Sequence, residues 1–311
     1  MSKVARIGTR GSPLALWQAH WVEQRLRQYH PQRAFEQVII RTTGDKILDT
    51  PLSKIGDKGL FTKELDRALL NNRIDLAVHS LKDVPTRIPD GLCIAAITER
   101  AEVRDALISR EGQLLDELPQ GATVATGSLR RKAQLLAYRP DLQMVDLRGN
   151  LNTRLQKFHQ SGWHGMILAA AGLHRMGWAE EITQLLPLEI MLPAVGQGSF
   201  AVLCRQADAE TRELLAPLDH RPSRLATTAE RALLFALEGG CQVPIGAYGR
   251  LQGNQLILTA CISSLDGQTL IRDQLVGDPD APEALGKKLA QQLLQQGGKQ
   301  ILEKIERESR L

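Results

Sequence analysis

From the N-terminus to about residue 205, short apolar runs alternate with helix-period segments, and that alternation restricts this stretch to a mostly parallel α/β sheet architecture. Lys3–Gly8 reads as a strand that feeds directly into Thr9-Arg10-Gly11-Ser12-Pro13. Ser12 is a good helix N-cap and Pro13 a good first helical residue. Leu14, Trp17, Trp21, Val22 and Leu26 then supply an apolar face at helical spacing. A strand over Glu36–Arg41, a polar Gly- and Lys-rich loop over Gly44–Gly59, a helix from Phe61 to about Asn72 and a strand over Asp75–Ser80 follow. The charged stretch Glu99–Asp105 reads as a crossing to a second lobe. There the pattern restarts, with strands over Thr123–Thr126, Gln143–Leu147 and Gly165–Ala169 and helices over Ser128–Tyr138 and Leu151–Gln160. Pro193–Gly198 reads as a second crossing, and Phe200–Cys204 as a strand that returns to the first lobe. From about Arg221 the grammar changes. A long helix (Ser223–Leu237) precedes strands near Val243–Leu251, Gln255–Ser263 and Gln268–Val276, with Asp266-Gly267 as a hairpin turn. A closing helix from about Pro282 to Gln296, and a further one past Gly297-Gly298, complete a smaller α+β domain with an antiparallel sheet.

At 311 residues the chain is too long for one ordinary core, so two or three domains are expected. A net charge of +4 is too small to argue for nucleic acid, and 4% aromatics supply few stacking platforms. Cys93, Cys204, Cys241 and Cys261 lie far apart with no CxxC pair, which does not suggest zinc or any other metal. The N-terminus lacks the apolar run of an export signal, and no stretch of about 18 apolar residues exists to span a membrane. A reducing cytoplasm fits, with Cys241 as a free thiol.

In open α/β sheets, ligands collect where strands end and helix N-termini point. Thr9-Arg10-Gly11-Ser12 sits at one such joint, where a plain N-cap beside a solvated arginine is an equal alternative. Ala125-Thr126-Gly127-Ser128-Leu129-Arg130-Arg131 combines free backbone N–H groups, a hydroxyl cap and tandem arginines, a set that favours an anion over a pair of surface salt bridges. Leu147-Arg148-Gly149-Asn150, with Arg154 one turn further on, repeats the arrangement, and His174-Arg175 adds another cation. Arginine suits carboxylates because its planar fork binds them in bidentate fashion. His79-Ser80-Leu81-Lys82-Asp83 offers an acid beside a base at a strand end, which is either a proton-transfer site or an exposed pair beside a turn. His79 reads as a structural histidine. Lysines on the Gly-rich loop fit a cationic flap as well as a merely solvated loop. Cys241 lies between Gly239-Gly240 and Val243-Pro244, where glycines past a helix end leave little bulk around the thiol.

GTRGSPLALWQA (8–19), TTGDKILDTPLSKIGDKGLFTKEL (42–65), HSLKDVPT (79–86), ATGSLRRKAQL (125–135), LRGNLNTRL (147–155), LPAVGQG (192–198) and LEGGCQVPIGAY (237–248) together resemble the porphobilinogen deaminases, also called hydroxymethylbilane synthases. The resemblance implies three domains: residues 1–98 with 199–216, residues 104–192, and residues 221–311. It implies that the first two are built like the lobes of a periplasmic ligand-binding protein. It also implies a cytoplasmic, monomeric transferase of tetrapyrrole synthesis. Such an enzyme condenses four porphobilinogen molecules head to tail on a dipyrromethane cofactor, releasing ammonia, then hydrolyses off hydroxymethylbilane. By the same resemblance, Cys241 is the thioether attachment point of the cofactor. Asp83 is the catalytic acid, assisting loss of the amine and steadying the reacting rings. Arg10, Lys82, Arg130, Arg131, Arg148, Arg154 and Arg175 match the cations that hold acetate and propionate groups, with Ser12, Thr126 and Ser128 as polar ligands. Gln197 falls at a matching hinge, and Lys54 and Lys58 in the mobile loop. Gly127 departs from the family pattern, standing where many members have serine.

Two other classes compete. A non-catalytic two-lobed anion-binding protein would need neither Asp83 nor a modified Cys241. A cysteine acyl-transfer enzyme would want a histidine near Cys241, and the loop supplies none in sequence.

Overall fold

The computed structural model describes residues 4–46, 59–237 and 243–309. Its first set of elements is β1 (Ala5–Thr9), α1 (Pro13–Tyr29), β2 (Phe35–Ile39), a short α2 (Thr43–Lys46), α3 (Lys63–Leu70), β3 (Leu76–Ser80) and β4 (Leu92–Ile97). The second set is β5 (Asp105–Ser109), β6 (Thr123–Ala125), α4 (Leu129–Tyr138), β7 (Gln143–Val145), α5 (Leu151–Gln160), β8 (Gly165–Ala169), α6 (Ala170–Arg175) and β9 (Gln184–Leu185). Then come β10 (Phe200–Arg205), α7 (Ala209–Leu215), α8 (Arg221–Ala236), β11 (Ile245–Gln252), β12 (Gln255–Ser263), β13 (Leu270–Gly277), α9 (Pro282–Leu293) and α10 (Lys299–Ser309).

These strands form three sheets, in the orders β2-β1-β3-β10-β4, β7-β6-β8-β5-β9 and β11-β12-β13. In the first, β1 lies parallel to β2 and β3, while β10 runs antiparallel between β3 and β4. The returning strand at 200–204 therefore does join the first lobe. The second sheet repeats the plan, with β6 parallel to β7 and β8, and β5 antiparallel between β8 and β9. The third is wholly antiparallel and packs α9 on its face. The fold is thus α/β, with two mixed, mostly parallel sheets and a C-terminal antiparallel one. Two compact units divide the chain. One runs through Ala101 and resumes over Gly196–Arg224, and the other takes Glu102–Val195 and continues from Leu225.

Within the first unit, Ser12 caps α1 by accepting from Ala15 N at 3.4 Å, and Pro13 opens the helix. The buried stripe of α1 is Gln18, Ala19, Val22 and Leu26. Trp17, which periodicity puts on the apolar face, instead stays exposed and meets Phe200 edge-on with centroids 6.3 Å apart. The reason is polar: Gln18 turns inward to donate to Ser80 Oγ at 2.8 Å, which rolls its neighbour outward. The break at Gly297-Gly298 is real, since Gly297 takes φ +111° between α9 and α10. Sequence reading missed β4, β5, β9, α6 and α7. Its charged crossing at Glu99–Asp105 contains the unit boundary but ends in a strand residue, Asp105.

Candidate active site

In the first unit, β3 ends at Ser80 and the chain turns through a single 3-10 turn, Leu81–Asp83. Leu81 is buried, and its N–H donates to Ser199 O at 3.0 Å, which pins the turn against the segment that precedes β10. That approach is possible because Gly196 and Gly198 adopt φ +74° and +100°. A Cβ at Gly196 would fall 2.7 Å from Leu81 Cγ, and one at Gly198 2.8 Å from Ala101 O. Lys82 and Asp83 are left half-buried at the strand end. Lys82 Nζ donates to Gln197 Oε1 at 3.4 Å, and Arg100 Nε donates to the Gln197 carbonyl at 2.8 Å. Gln197, expected at a hinge, is thus a buried junction beside the candidate acid.

Arg10 leaves β1 beside Asp45, at the start of the Gly- and Lys-rich loop. Its Nε donates to Asp45 Oδ1 at 3.1 Å and Oδ2 at 3.4 Å, and its Nη2 also reaches Oδ1. Burial would raise the Asp45 pKa, but the hydrogen bonds and charge of Arg10, with Thr42, bring it below the usual range. The guanidinium lies over Phe61, 4.2 Å from the ring centroid. So Arg10 is neither a solvated side chain nor a bare cation. His79 is buried, with Nε2 lacking a hydrogen-bond partner among the described residues. Burial, helped by Arg10's charge, pushes its pKa down to about 4 and keeps the ring neutral at pH 7.

The second unit handles charge differently. Arg130 and Arg131 open α4, each 5% exposed, and both bind Asp105, which is 0% exposed. Arg130 Nη1 donates to Asp105 Oδ2 and Arg131 Nη2 to Asp105 Oδ1, each at 2.8 Å. Arg130 Nη1 also donates to Leu192 O at 2.6 Å, and Arg131 Nη1 to Ile167 O at 3.1 Å. Burial alone would raise the Asp105 pKa; the two arginines overcome it and hold the carboxyl well below the carboxylate range. The alternative of two surface salt bridges is therefore wrong, since these ion pairs are buried. Asp105 itself went unread in the sequence. A charge at the head of the apolar run Ala106-Leu107-Ile108 is the one local signal that it starts a buried strand.

Among the described residues, two guanidinium groups face one carboxylate in this network, so a positive charge remains in a dry site. Arg131 Nε is buried with no hydrogen-bond partner among the described residues. Both facts fit an anionic group bearing carboxylates. Around them, Thr126 is buried, its hydroxyl accepts from Ser128 N at 3.3 Å, and Ser128 Oγ caps α4 through Arg131 N at 3.4 Å. Arg148 lies in the turn that Gly149 makes at φ +116°, and Arg154 Nε donates back to Gly149 O at 2.8 Å. Burial lowers the pKa of Arg148 against the pull of Asp146, and lowers that of Arg175 to about 10. Arg175 closes α6, directly after β8. A Cβ at Gly127 would collide with Leu147 O, so the missing side chain lets the Thr126–Ser128 turn seat against the Arg148 turn. Cys241, Lys54 and Lys58 lie outside the described residues. Among the described residues no cluster of His, Cys, Asp or Glu could hold a metal, and no helix is long and apolar enough to cross a membrane.

The family model described as porphobilinogen deaminase, dipyromethane cofactor binding domain matches residues 5–213, and that of the C-terminal domain matches residues 224–295. The chain belongs to the porphobilinogen deaminase family. It is 53% identical to the porphobilinogen deaminase of Desulforudis audaxviator over 98% of this chain and 99% of that one. It is 52% identical to the porphobilinogen deaminase of Desulforamulus reducens over 96% and 97% of the two chains. Among solved structures, the methionine-binding protein MetQ matches over 69% of this chain and 89% of its own, at 13% identity and TM-score 0.44. As a porphobilinogen deaminase the chain is a transferase of tetrapyrrole synthesis, and the buried cationic network lies inside the span matched by the cofactor-binding model.

Proposed function

We infer that this chain condenses four porphobilinogen molecules head to tail on a covalently held dipyrromethane, releasing ammonia, and hydrolyses the product off as hydroxymethylbilane. The observation that carries this reading is the Arg130–Asp105–Arg131 network, a dry and incompletely neutralised cationic site in a chain whose family binds a carboxylate-rich cofactor. When bound, the dipyrromethane supplies the terminal pyrrole on which chain growth begins. Arg130, Arg131, Arg148, Arg154 and Arg175 are the cations suited to its carboxylates and those of the added rings, with Thr126 and Ser128 as polar partners. Arg10, Ser12 and Lys82 serve the substrate carboxylates from the first unit. Each added ring brings two carboxylates, which several fixed guanidinium groups neutralise without a metal.

Asp83 is the proton-transfer residue. It is half-buried at the end of a turn pinned by Leu81, so it can meet substrate and still be held in position. Its proton goes to the departing amine, and its carboxylate then faces the cationic ring left behind. Gln197 steadies Lys82 beside it, and Lys54 and Lys58 keep the role of loop cations that the family resemblance implies. The free thiols of Cys93, Cys204 and Cys261 suit a reducing cytoplasm, and we take the active form as a monomer.

Intact-protein mass spectrometry tests the reading. Purified active protein should carry two pyrrole units, and Cys241→Ser protein none, with no Ehrlich colour. Full turnover by protein whose Cys241 is unmodified would overturn it, and would favour neither rival unless an acyl adduct appeared instead.

A further inference from the structure

Gln134 stands on the same face of α4 as Arg130, and no role assigned so far uses it. Its side chain is 2% exposed and every polar atom is engaged. Oε1 accepts from Leu192 N at 2.8 Å, while Nε2 donates to Leu192 O at 3.1 Å and to Arg130 O at 3.4 Å. The amide therefore grips both polar groups of one peptide residue, as a neighbouring strand would. The Leu192 carbonyl that it holds is the acceptor for Arg130 Nη1. On its far side, Oε1 also accepts from Cys261 Sγ of β12 at 3.4 Å. Leu192 in turn crowds β11: a Cβ at Gly246 would lie 2.8 Å from Leu192 Cβ, and Ala247 N donates to Pro193 O at 3.0 Å.

We propose that Gln134 is a positioning residue for the reaction, acting through the Leu192 peptide to fix the Arg130 guanidinium. The physical reason is that Asp105 Oδ2 and Leu192 O, which both accept from Arg130 Nη1, are acceptors of different kinds. Asp105 supplies charge through Oδ2, its Oδ1 being taken by Arg131, and one contact of that kind does not by itself fix the plane of the guanidinium. The Leu192 carbonyl supplies direction, and it points where it does only while its peptide is held. Cys261 is assigned no part in this positioning: its thiol is buried, burial raises its pKa to about 11, and its hydrogen bond goes to Gln134 Oε1 rather than to Arg130 or Asp105.

The inference rests on the porphobilinogen deaminase reading. Its test compares Gln134→Met, which keeps volume but removes every polar contact, with Cys261→Ala, which removes the thiol contact and leaves the amide's bonds to Leu192 and Arg130 in place. Mass spectrometry first establishes that each variant is loaded with cofactor, and thermal melts that each is folded. In Gln134→Met we expect KM for porphobilinogen to rise about tenfold or more, with kcat changed far less, the scale on which small misplacements of binding groups act. Cys261→Ala should keep wild-type KM and kcat. Gln134→Glu, which retains the acceptor for Leu192 N, gives a second reading if the methionine variant does not fold, and it too should raise KM. A lowered melting temperature with KM and kcat within twofold of wild type would reduce Gln134 to a packing residue and overturn the proposal. Wild-type protein unable to consume porphobilinogen would instead sink the functional reading and say nothing against Gln134.

Discussion

The two five-stranded sheets share one plan: three parallel strands, one reversed strand beside them, and an edge strand that runs with the first three. They treat charge in opposite ways. In the first, the groups after β3 are half-buried and held by backbone, with Lys82 and Asp83 on a short turn. In the second, the arginines after β6 are sunk in the interior and locked on one buried carboxylate. A proton-transfer group must keep access to solvent and reactant, so it belongs on a turn. A carboxylate-binding group gains strength from low dielectric and a fixed fork, so it belongs in a dry network. On the proposed assignment, the same topology serves chemistry in one unit and recognition in the other.

The strongest way to break this contrast is to remove Asp83. Asp83→Ala should retain the cofactor by mass and lose turnover by roughly 10²–10⁴-fold, the range for losing a positioned proton-transfer group. Its melting temperature should stay near that of wild type, because the turn is held by Leu81 and Ser199 rather than by the carboxylate. Turnover within threefold of wild type would take catalysis away from this turn.

Asp105→Asn probes the other half. It keeps shape but strands two guanidinium groups, each with a 6% exposed side chain, beside a neutral amide. Breaking a buried ion pair from one side costs about 3–5 kcal/mol, so denaturant unfolding should show a loss of that size. A loss below about 1 kcal/mol would mean that solvent reaches the pair and that the second unit is no drier than the first.

Much of this was legible in the sequence, and the exceptions have a common cause. Helix starts at Ser12, Ser128 and Asn150 follow from side-chain caps, which are local, and the structure shows all three accepting from a backbone N–H three residues on. The antiparallel C-terminal sheet followed from alternation and a turn at Asp266-Gly267. By contrast, Asp105 lies 25 residues from Arg130, and nothing in its neighbours says that a charge there faces inward. Asp45 and Phe61 were likewise invisible as partners of Arg10, because ion pairing and ring stacking across a loop depend on tertiary placement. Strands β4 and β9 were missed because neither shows clean alternation: β4 is an apolar run and β9 spans only Gln184–Leu185. Sequence thus revealed which residue types carry charge at strand ends, but not which of them were already neutralised from within.

His79 sharpens the comparison from the first unit's interior. The ring is buried and neutral, with its pKa down at about 4, while an unfolded chain's histidine titrates near 6.5. Between those values the unfolded state binds more protons than the native one, so stability present above pH 6.5 is lost as the pH falls toward 4. Lowering the pH from 7.5 to 5 should cost about 2 kcal/mol through this group alone. His79→Gln should flatten that part of the stability profile. An unchanged profile would show that the ring is hydrated and that the first unit has no dry region beside Arg10.

Gly127 is the smallest lever and bears on the second unit alone. It adopts no left-handed conformation, so its constraint is space rather than backbone strain. The carbonyl of Leu147 occupies the place where a Cβ would go, and Arg148 Cδ lies 3.9 Å from that point. Gly127→Ser introduces the serine that the family resemblance leads one to expect there, but must push apart the turns carrying Thr126–Ser128 and Arg148. Overpacking of this kind costs typically 1–3 kcal/mol, and relief by loop movement puts the expectation at about 1 kcal/mol. Because the shift moves two turns proposed to bind carboxylates without touching Asp83, KM for porphobilinogen should respond while kcat holds. If kcat fell instead, with KM fixed, the division between a recognising unit and a reacting unit would fail at this position, and the Arg148 turn would have to be counted with the chemistry.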